Sequence, residues 1–490
     1  MSADLKKFYD EVDKRADDEF INKRLGTAIS HQSVSSEAEN RPNVVAMEKF
    51  LEEELGKLGA DVEPFCMGKQ QKKKPTDPDL DLPPILVAWY PPKKSIHNDK
   101  KTLLIYGHYD VQPELTGWSP EHPAFKLTKG QGPSGEQLYG RSSTDDKGPV
   151  LGWLNAIEAH KKAGVEIPVN LIFCFEGMEE SSSEGFTEFL DKHGNDIFKS
   201  VDGGVIADNY WITTKYPCLT YGLRGINYFR VTITGAPKQL HSGIYGGAIA
   251  EPMTDLFSLF SKLVDNKGKI LIPGINDQVE ELTEKEKELY KKIRFTLKDF
   301  TDAIGDTRVP LYENPTDILM HRWRYPSLSI HGINGADSSD DPGTAIPNKV
   351  TGAFSIRTVP KMDSDTVNKK VTDYLQEEFK KLGSKCKISI GLSPETTPYW
   401  WTETEDPNFE AAAKATRAVY KTDPDYTREG GSIGVALYLQ KILGEKSLLL
   451  LPMGASNDGP HGPNEKIDRR NYIEGTKLFG AYWHYFAEKA

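Results

Sequence analysis

Two histidines and a set of carboxylates draw attention because of the company they keep. His108 and Asp110 lie in GHYD, Asp145 and Asp146 in TDDKG, Glu179 and Glu180 in EGMEE, Asp208 in ADN and His461 in DGPHG. Imidazole nitrogen with carboxylate oxygen and no thiolate is a donor set for a hard-to-borderline divalent ion such as zinc, manganese or cobalt. One ion would leave carboxylates over. Two divalent ions carry four positive charges, which three carboxylates and one hydroxide balance, so the inventory favours a dinuclear site.

Spacing adds roles to this inventory. Where the chain is extended, neighbouring side chains point apart, so the Glu179-Glu180 pair predicts one carboxylate at a metal and one free to move a proton. Residues two apart share a face instead. Asp110 is therefore expected to accept the second ring N–H of His108 and fix its tautomer. Other signals are weaker: DDKG alone reads equally well as a turn, HSG at 241–243 reads alone as a turn, and Arg357, two residues past Ser355, reads as a surface pair partner. The string GQGPSG at 130–135 matches a dinucleotide fingerprint only formally, because Pro133 and the lack of a following helix make it a hairpin turn.

Residues so far apart in sequence need a scaffold that gathers them. Short apolar runs at 102–106, 169–175, 204–207 and 447–451 read as buried strands, with helical segments such as 150–163 between them. Apolar character on both faces favours a mostly parallel α/β sheet. Ligands bind such sheets beyond the carboxyl ends of the strands, which is where His108, Glu179, Glu180, Asp208 and His461 follow. From residue 225 the pattern changes to an alternating strand (Ile226, Tyr228, Arg230, Ile233), a helix at 254–264, and strands at 350–359 and 387–392. A second helix is expected at 363–382, with Val367, Val371, Leu375, Phe379 and Leu382 on one stripe and Gly383 as its stop. This α+β insert predicts a discontinuous first domain, residues 1–222 and 395–490, around a second domain at 223–394. The first 65 residues read as surface helices and 69–84 as an exposed loop.

The chain of 490 residues has room for two to four domains at about 150 residues each. Its 38% hydrophobic and 27% charged residues describe a folded globular protein. A net charge of -11 argues against nucleic acid or an anionic membrane as the main partner. The four cysteines lie far apart with no C-x-x-C spacing, so neither a disulfide framework nor a thiolate zinc site is indicated, and a reducing compartment is the expectation. The first residues lack the apolar stretch of a secretory signal, and the apolar runs are too short to span a bilayer. A cytoplasmic location is the expectation.

In chain order, YGHYDVQP, GRSSTDDKGP, EGMEESSSEG, ADN, LHSGIYGG, GTAIPNKVTGAFSIR, REGGS and NDGPHGPNEK resemble the motifs of the M20 metallopeptidases. Within that family they are most similar to the cytosolic nonspecific dipeptidase and carnosinase branch, which includes the fungal Cys-Gly dipeptidases. The resemblance covers almost the whole chain. It implies a catalytic α/β domain with an inserted lid and dimerisation domain, and hydrolysis of L-dipeptides at two divalent ions, zinc or manganese, per subunit. Residue by residue, it implies that His108 and Asp208 bind one ion, His461 and Glu180 the other, and that Asp145 bridges them. Glu179 would be the general base and acid, and Asp110 the partner of His108. Arg357 would grip the substrate carboxylate, with Gly431, Ser432 and Thr344 in the same pocket and Glu429 facing the amine. His241 matches the lid histidine that reaches the neighbouring subunit's site in a homodimer. Ser142 is a departure, standing where relatives often have glycine. An N-acyl amino-acid deacylase or exocarboxypeptidase on the same scaffold is the alternative enzyme reading, and a non-catalytic binding homologue the alternative of another class.

Overall fold

A computed structural model of the chain describes residues 2–72, 74–393 and 396–488. Its largest sheet has nine strands among these residues. At the centre lie Asn170–Glu176, Thr102–His108, Gly203–Ile206 and Leu448–Leu450, all parallel to their neighbours within this group. The outer strands Asp61–Phe65, Ile85–Tyr90 and Trp400–Trp401 pair antiparallel, as does Cys218–Leu223 with Leu448–Leu450. The sheet is thus mixed, with a parallel core.

Burial explains why the core strands read as continuous apolar runs. Every residue of Thr102–His108 and of Asn170–Glu176 is buried, and successive side chains enter opposite layers. Leu103 and Ile105 pack with Phe8, Trp153, Phe479 and Trp483, whereas Leu104 and Tyr106 pack with Phe186, Phe189, Val435 and Leu439. Two helical layers therefore close the sheet on both faces. The first of them includes Ala3–Arg15, so the N-terminal helices are surface elements only on their charged sides: Leu5, Phe8 and Val12 are fully inside.

Parallel direction sets the site. The register pairs His108 with Glu176 and Tyr106 with Ile206, so the strands run out at nearly one level. The loops leaving their carboxyl ends therefore emerge on the same edge. The helix Lys147–Ala163 begins there too, with Asp146 preceding it and Gly164 ending it in the left-handed conformation.

A second sheet is antiparallel, in the order Ser327–Asn334, Lys349–Thr358, Gly225–Thr234, Lys387–Leu392. The inward side chains Phe229, Val231 and Ile233 of Gly225–Thr234 pack under the helices Pro252–Phe260 and Ser364–Leu382. Asp363 caps the latter helix by accepting from Thr366 N at 2.8 Å, and Gly383 stops it. The chain leaves the large sheet at Leu223 and joins the small one at Gly225. The expected boundary at 394/395 lies outside the described residues. Thr128–Gly132 and Gly135–Tyr139 form the antiparallel hairpin expected around Pro133. Among the described residues, no helix is long and apolar enough to cross a membrane.

Candidate metal centre

His108 ends its strand with its ring fully buried. Its Nε2 lies 3.2 Å from Asp145 Oδ1 and 3.8 Å from Asp208 Oδ2. His461 approaches from the other side, with Nε2 3.1 Å from Asp145 Oδ2 and 3.3 Å from Glu180 Oε2. The two oxygens of Asp145 thus face different imidazoles. Donor atoms of His108, Glu179 and Asp208 lie within 4.8 Å of one another, as do those of His108, Asp145 and Glu180. Glu179 and Glu180 go to different groups, and Glu179 sits at the reach of a ligand.

The local backbone explains this convergence, with one correction. The expected extended chain at Glu179-Glu180 is a tight 3-10 turn, Glu179–Ser181. Asp110 is the reason: its carboxylate accepts the successive backbone N–H groups of Glu179 at 3.2 Å and Glu180 at 3.0 Å, and a hydroxyl from Ser35 at 2.6 Å. The two side chains nonetheless enter different candidate donor groups. Asp110 also meets His108, whose Nδ1 is 3.1 Å from the Asp110 carbonyl and 3.3 Å from its Oδ1. One carboxylate therefore steadies the first histidine and both glutamates.

The TDDKG loop is tied from two directions. His108 N donates to Asp146 Oδ2 at 3.2 Å, an approach that depends on Gly107, where a Cβ would lie 2.8 Å from that oxygen. From outside, buried Glu465 accepts from Thr144 N and Asp145 N, both at 3.2 Å, and pairs with Arg141 Nη1 at 2.8 Å. Arg141 Nη2 reaches the carbonyl of His461 at 3.3 Å, so one ion pair holds the shared carboxylate and the second histidine together. Gln112 adds a bond of 2.7 Å to Glu180 Oε2. Sequence reasoning assigns no role to Arg141, Glu465 or Gln112, although each stands within four residues of a named ligand or loop. Ser142 adopts φ 69, the left-handed region where glycine is easier, and is fully buried. The departure from the family pattern leaves the turn in place.

Electrostatics show which charge the cluster suits. Burial disfavours the charged ring of His108, but the bonds to Asp110, Asp145 and Asp208 outweigh it and hold its pKa well above the usual imidazole value. Asp145 resists the upward push of burial and is held well below the usual carboxylate range by His108 and His461. For the other acids burial wins, reinforced by neighbouring negative charge: Glu179 rises well above its ordinary value, Glu180 to about 10 and Asp208 to about 6. Carboxyl groups outnumber imidazoles in a buried space, and compact divalent cations are the charge that fits them. The donor set therefore suits such ions.

The remaining predicted residues fall into two separate sets. Arg357 Nη1 donates to Ser432 Oγ at 2.8 Å, and Glu429 Oε1 accepts from Gly430 N at 2.6 Å and Gly431 N at 3.4 Å. His241 and Thr344 are neighbours: Leu240–His241 pairs with Ala345–Ile346, and Ser242 N donates to Thr344 O at 3.1 Å. His241 is exposed, with Ile244 and Tyr245 exposed beside it. Among the described residues, no hydrogen bond or ion pair joins this histidine to the carboxylates around His108.

Comparison with known proteins identifies the family of the chain. Residues 104–485 match the model of peptidase family M20/M25/M40. The chain is 50% identical to the Cys-Gly metallodipeptidase DUG1 of Candida albicans, over 95% of this chain and 94% of that one. It is 41% identical to the Beta-Ala-His dipeptidase of Homo sapiens, over 98% and 92% of the two chains. The solved structure of the di-peptidase Dug1p from Saccharomyces cerevisiae superposes with a TM-score of 0.89 at 46% identity, covering both chains completely.

The outer ion pair gives a direct test of how the centre is held. Glu465→Gln should weaken divalent-ion affinity about 10- to 100-fold, the usual effect of losing a group that orients a ligand. Calorimetric titration of the folded variant with zinc or manganese measures it, and unchanged affinity would contradict the positioning role.

Proposed function

The chain belongs to peptidase family M20/M25/M40 and is a metal-dependent hydrolase of dipeptides, and we propose that it works with two divalent ions, zinc or manganese, in each chain. The observation that carries this is Asp145, whose two oxygens face His108 and His461 separately. In this reading His108 and Asp208 hold one ion, His461 and Glu180 the other, and Asp145 is shared. When bound, the ions make a water molecule acidic and polarise the peptide carbonyl.

The side chains then divide the remaining work. Glu179 accepts the proton of the attacking water and returns it to the leaving amine. Asp110 keeps Glu179 in place through the backbone bond at the start of its turn. Arg357 pairs with the terminal carboxylate of the substrate, assisted by Gly431, Ser432 and Thr344, and Glu429 faces the free amine. Recognition of both ends of a two-residue substrate favours dipeptides over N-acyl amino acids. Cys-Gly, the substrate named for the fungal relatives, fits this frame and would place the enzyme in glutathione turnover.

His241 completes the site in trans. It is supported by exposure: the histidine and its apolar neighbours Ile244 and Tyr245 face outward from their own chain. A two-fold homodimer would give each site the His241 of the other subunit, as a donor to the oxygen that becomes negative during attack. Residues 1–222 with 395–490 would then form the catalytic domain and 223–394 the lid, in a cytoplasmic enzyme.

Glu179→Gln should keep both ions and lose at least about a hundredfold in turnover, because an amide cannot take the proton. Turnover above about a tenth of wild type, in a fully loaded variant, would remove Glu179 from the base role. The shared site predicts complementation. Inactive His241→Ala mixed with inactive Glu179→Gln should regain activity once subunits exchange, because one site of the mixed dimer has both intact groups. No recovery after verified exchange would mean that His241 does not act across an interface.

A further inference from the structure

Arg224 is the single residue between the strand Cys218–Leu223 of the large sheet and the strand Gly225–Thr234 of the small one. It makes four bonds that meet the substrate-binding group from both sides. Its backbone N–H donates to Glu429 O at 3.2 Å, and its carbonyl accepts from Ser432 Oγ at 2.6 Å. Its Nε donates to Gly430 O at 3.1 Å and its Nη1 to Ser327 Oγ at 2.9 Å. Ser327 is the register partner of Arg357 across the small sheet, and Ser432 is the residue to which Arg357 donates.

The placement matters because Glu429 and Arg357 belong to different sheets. Glu429 ends the strand Asp425–Glu429, which runs beside Cys218–Leu223 with a register shift between Thr427 and Glu429. Arg357 lies on Lys349–Thr358 of the small sheet. Nothing in either sheet alone fixes the distance between them. The Arg224 guanidinium spans the gap as a rigid fork, one arm on the 430 carbonyl and one on the Ser327 hydroxyl. Gly430 leaves room for it: a Cβ there would lie 3.1 Å from Arg224 Nη2 and 3.0 Å from the Arg322 carbonyl.

We propose that Arg224 is a positioning residue that sets the separation of Arg357 from Glu429 and thereby limits the substrate to two residues. This rests on the reading of Arg357 as the carboxylate partner and Glu429 as the amine partner. A substrate that must satisfy both ends at once feels a shift of either. Loss of the strap should therefore weaken binding of the matched dipeptide and relax discrimination against a longer peptide. The chemistry at the metals, held by separate elements, should change little.

The experiment compares Arg224→Lys, which keeps the charge but cannot make both side-chain bonds, with Ser327→Ala, which removes one acceptor and leaves Arg224 intact. KM and kcat are measured for a free dipeptide, its C-terminal amide and the corresponding tripeptide, beside metal content and Tm. Arg224→Lys should raise KM for the free dipeptide about tenfold, from the loss of charge-assisted bonds, with kcat changed less than about threefold. The tripeptide-to-dipeptide ratio of kcat/KM should rise, and Ser327→Ala should move both quantities the same way by less. In an Arg357→Ala background the effect on the dipeptide should shrink. Unchanged KM and size preference in a folded, metal-loaded Arg224→Lys or Ser327→Ala would overturn the proposal. So would an equal loss of kcat on all substrates with lost metal. Arg357→Ala alone separates the two levels: equal impairment of free and amidated dipeptides would defeat the carboxylate reading itself, whereas selective impairment with an inert Arg224→Lys defeats only the role of Arg224.

Discussion

The buried carboxylate of Asp145, with one imidazole on each oxygen, is the contact around which the candidate site is assembled. Around it stand Glu179, Glu180 and Asp208, whose charged forms burial disfavours. Uncompensated charge in a largely buried cluster of this kind is costly. The protein places its own cations further out. Arg141 pairs with Glu465, and Lys466 Nζ meets Asp458 at 2.6 Å and Asp468 at 2.7 Å. These outer acids touch the loops, Asp458 accepting from Thr144 Oγ1 at 2.8 Å. Fixed cations brace the frame, and the inner carboxylates are left for divalent ions.

The parallel strands convert that need into geometry. Residue 108 ends one strand of the large sheet and 179, 208 and 461 follow three others, and a common direction delivers them to one edge. In the proposed reading the second sheet carries substrate recognition through Arg357, which lies on Lys349–Thr358, while His241 lies on the short strand paired with Ala345–Ile346. The first covalent step between the sheets is Arg224, which places a hydrogen-bonding fork at the crossing from the large sheet to the small one.

Patterns that depend on neighbours in sequence are legible, and those that depend on contacts across the chain are not. The run at 102–106 stands in the structure as Thr102–His108, and the stripe ending at Gly383 as Ser364–Leu382, because apolar periodicity and a stop residue are local signals. The edge that gathers the histidines follows from strand direction. The turn at Glu179 reads as extended from sequence because the carboxylate that bends it, Asp110, lies 69 residues away. Arg141, Glu465 and Gln112 carry no signal of their own, since any of them could serve as a surface charge or amide. Arg224 is hidden for the same reason: its four partners come from residues 327 to 432. Ser142 shows the opposite case, in which a local rule favouring glycine yields to a turn held by its surroundings.

Anomalous diffraction from crystals of the zinc-loaded protein tests the central claim most directly. The account predicts two peaks in each chain, each within coordination distance of a different oxygen of Asp145, one on the His108 side and one on the His461 side. A single peak at full occupancy, or two peaks of which only one touches Asp145, would contradict it.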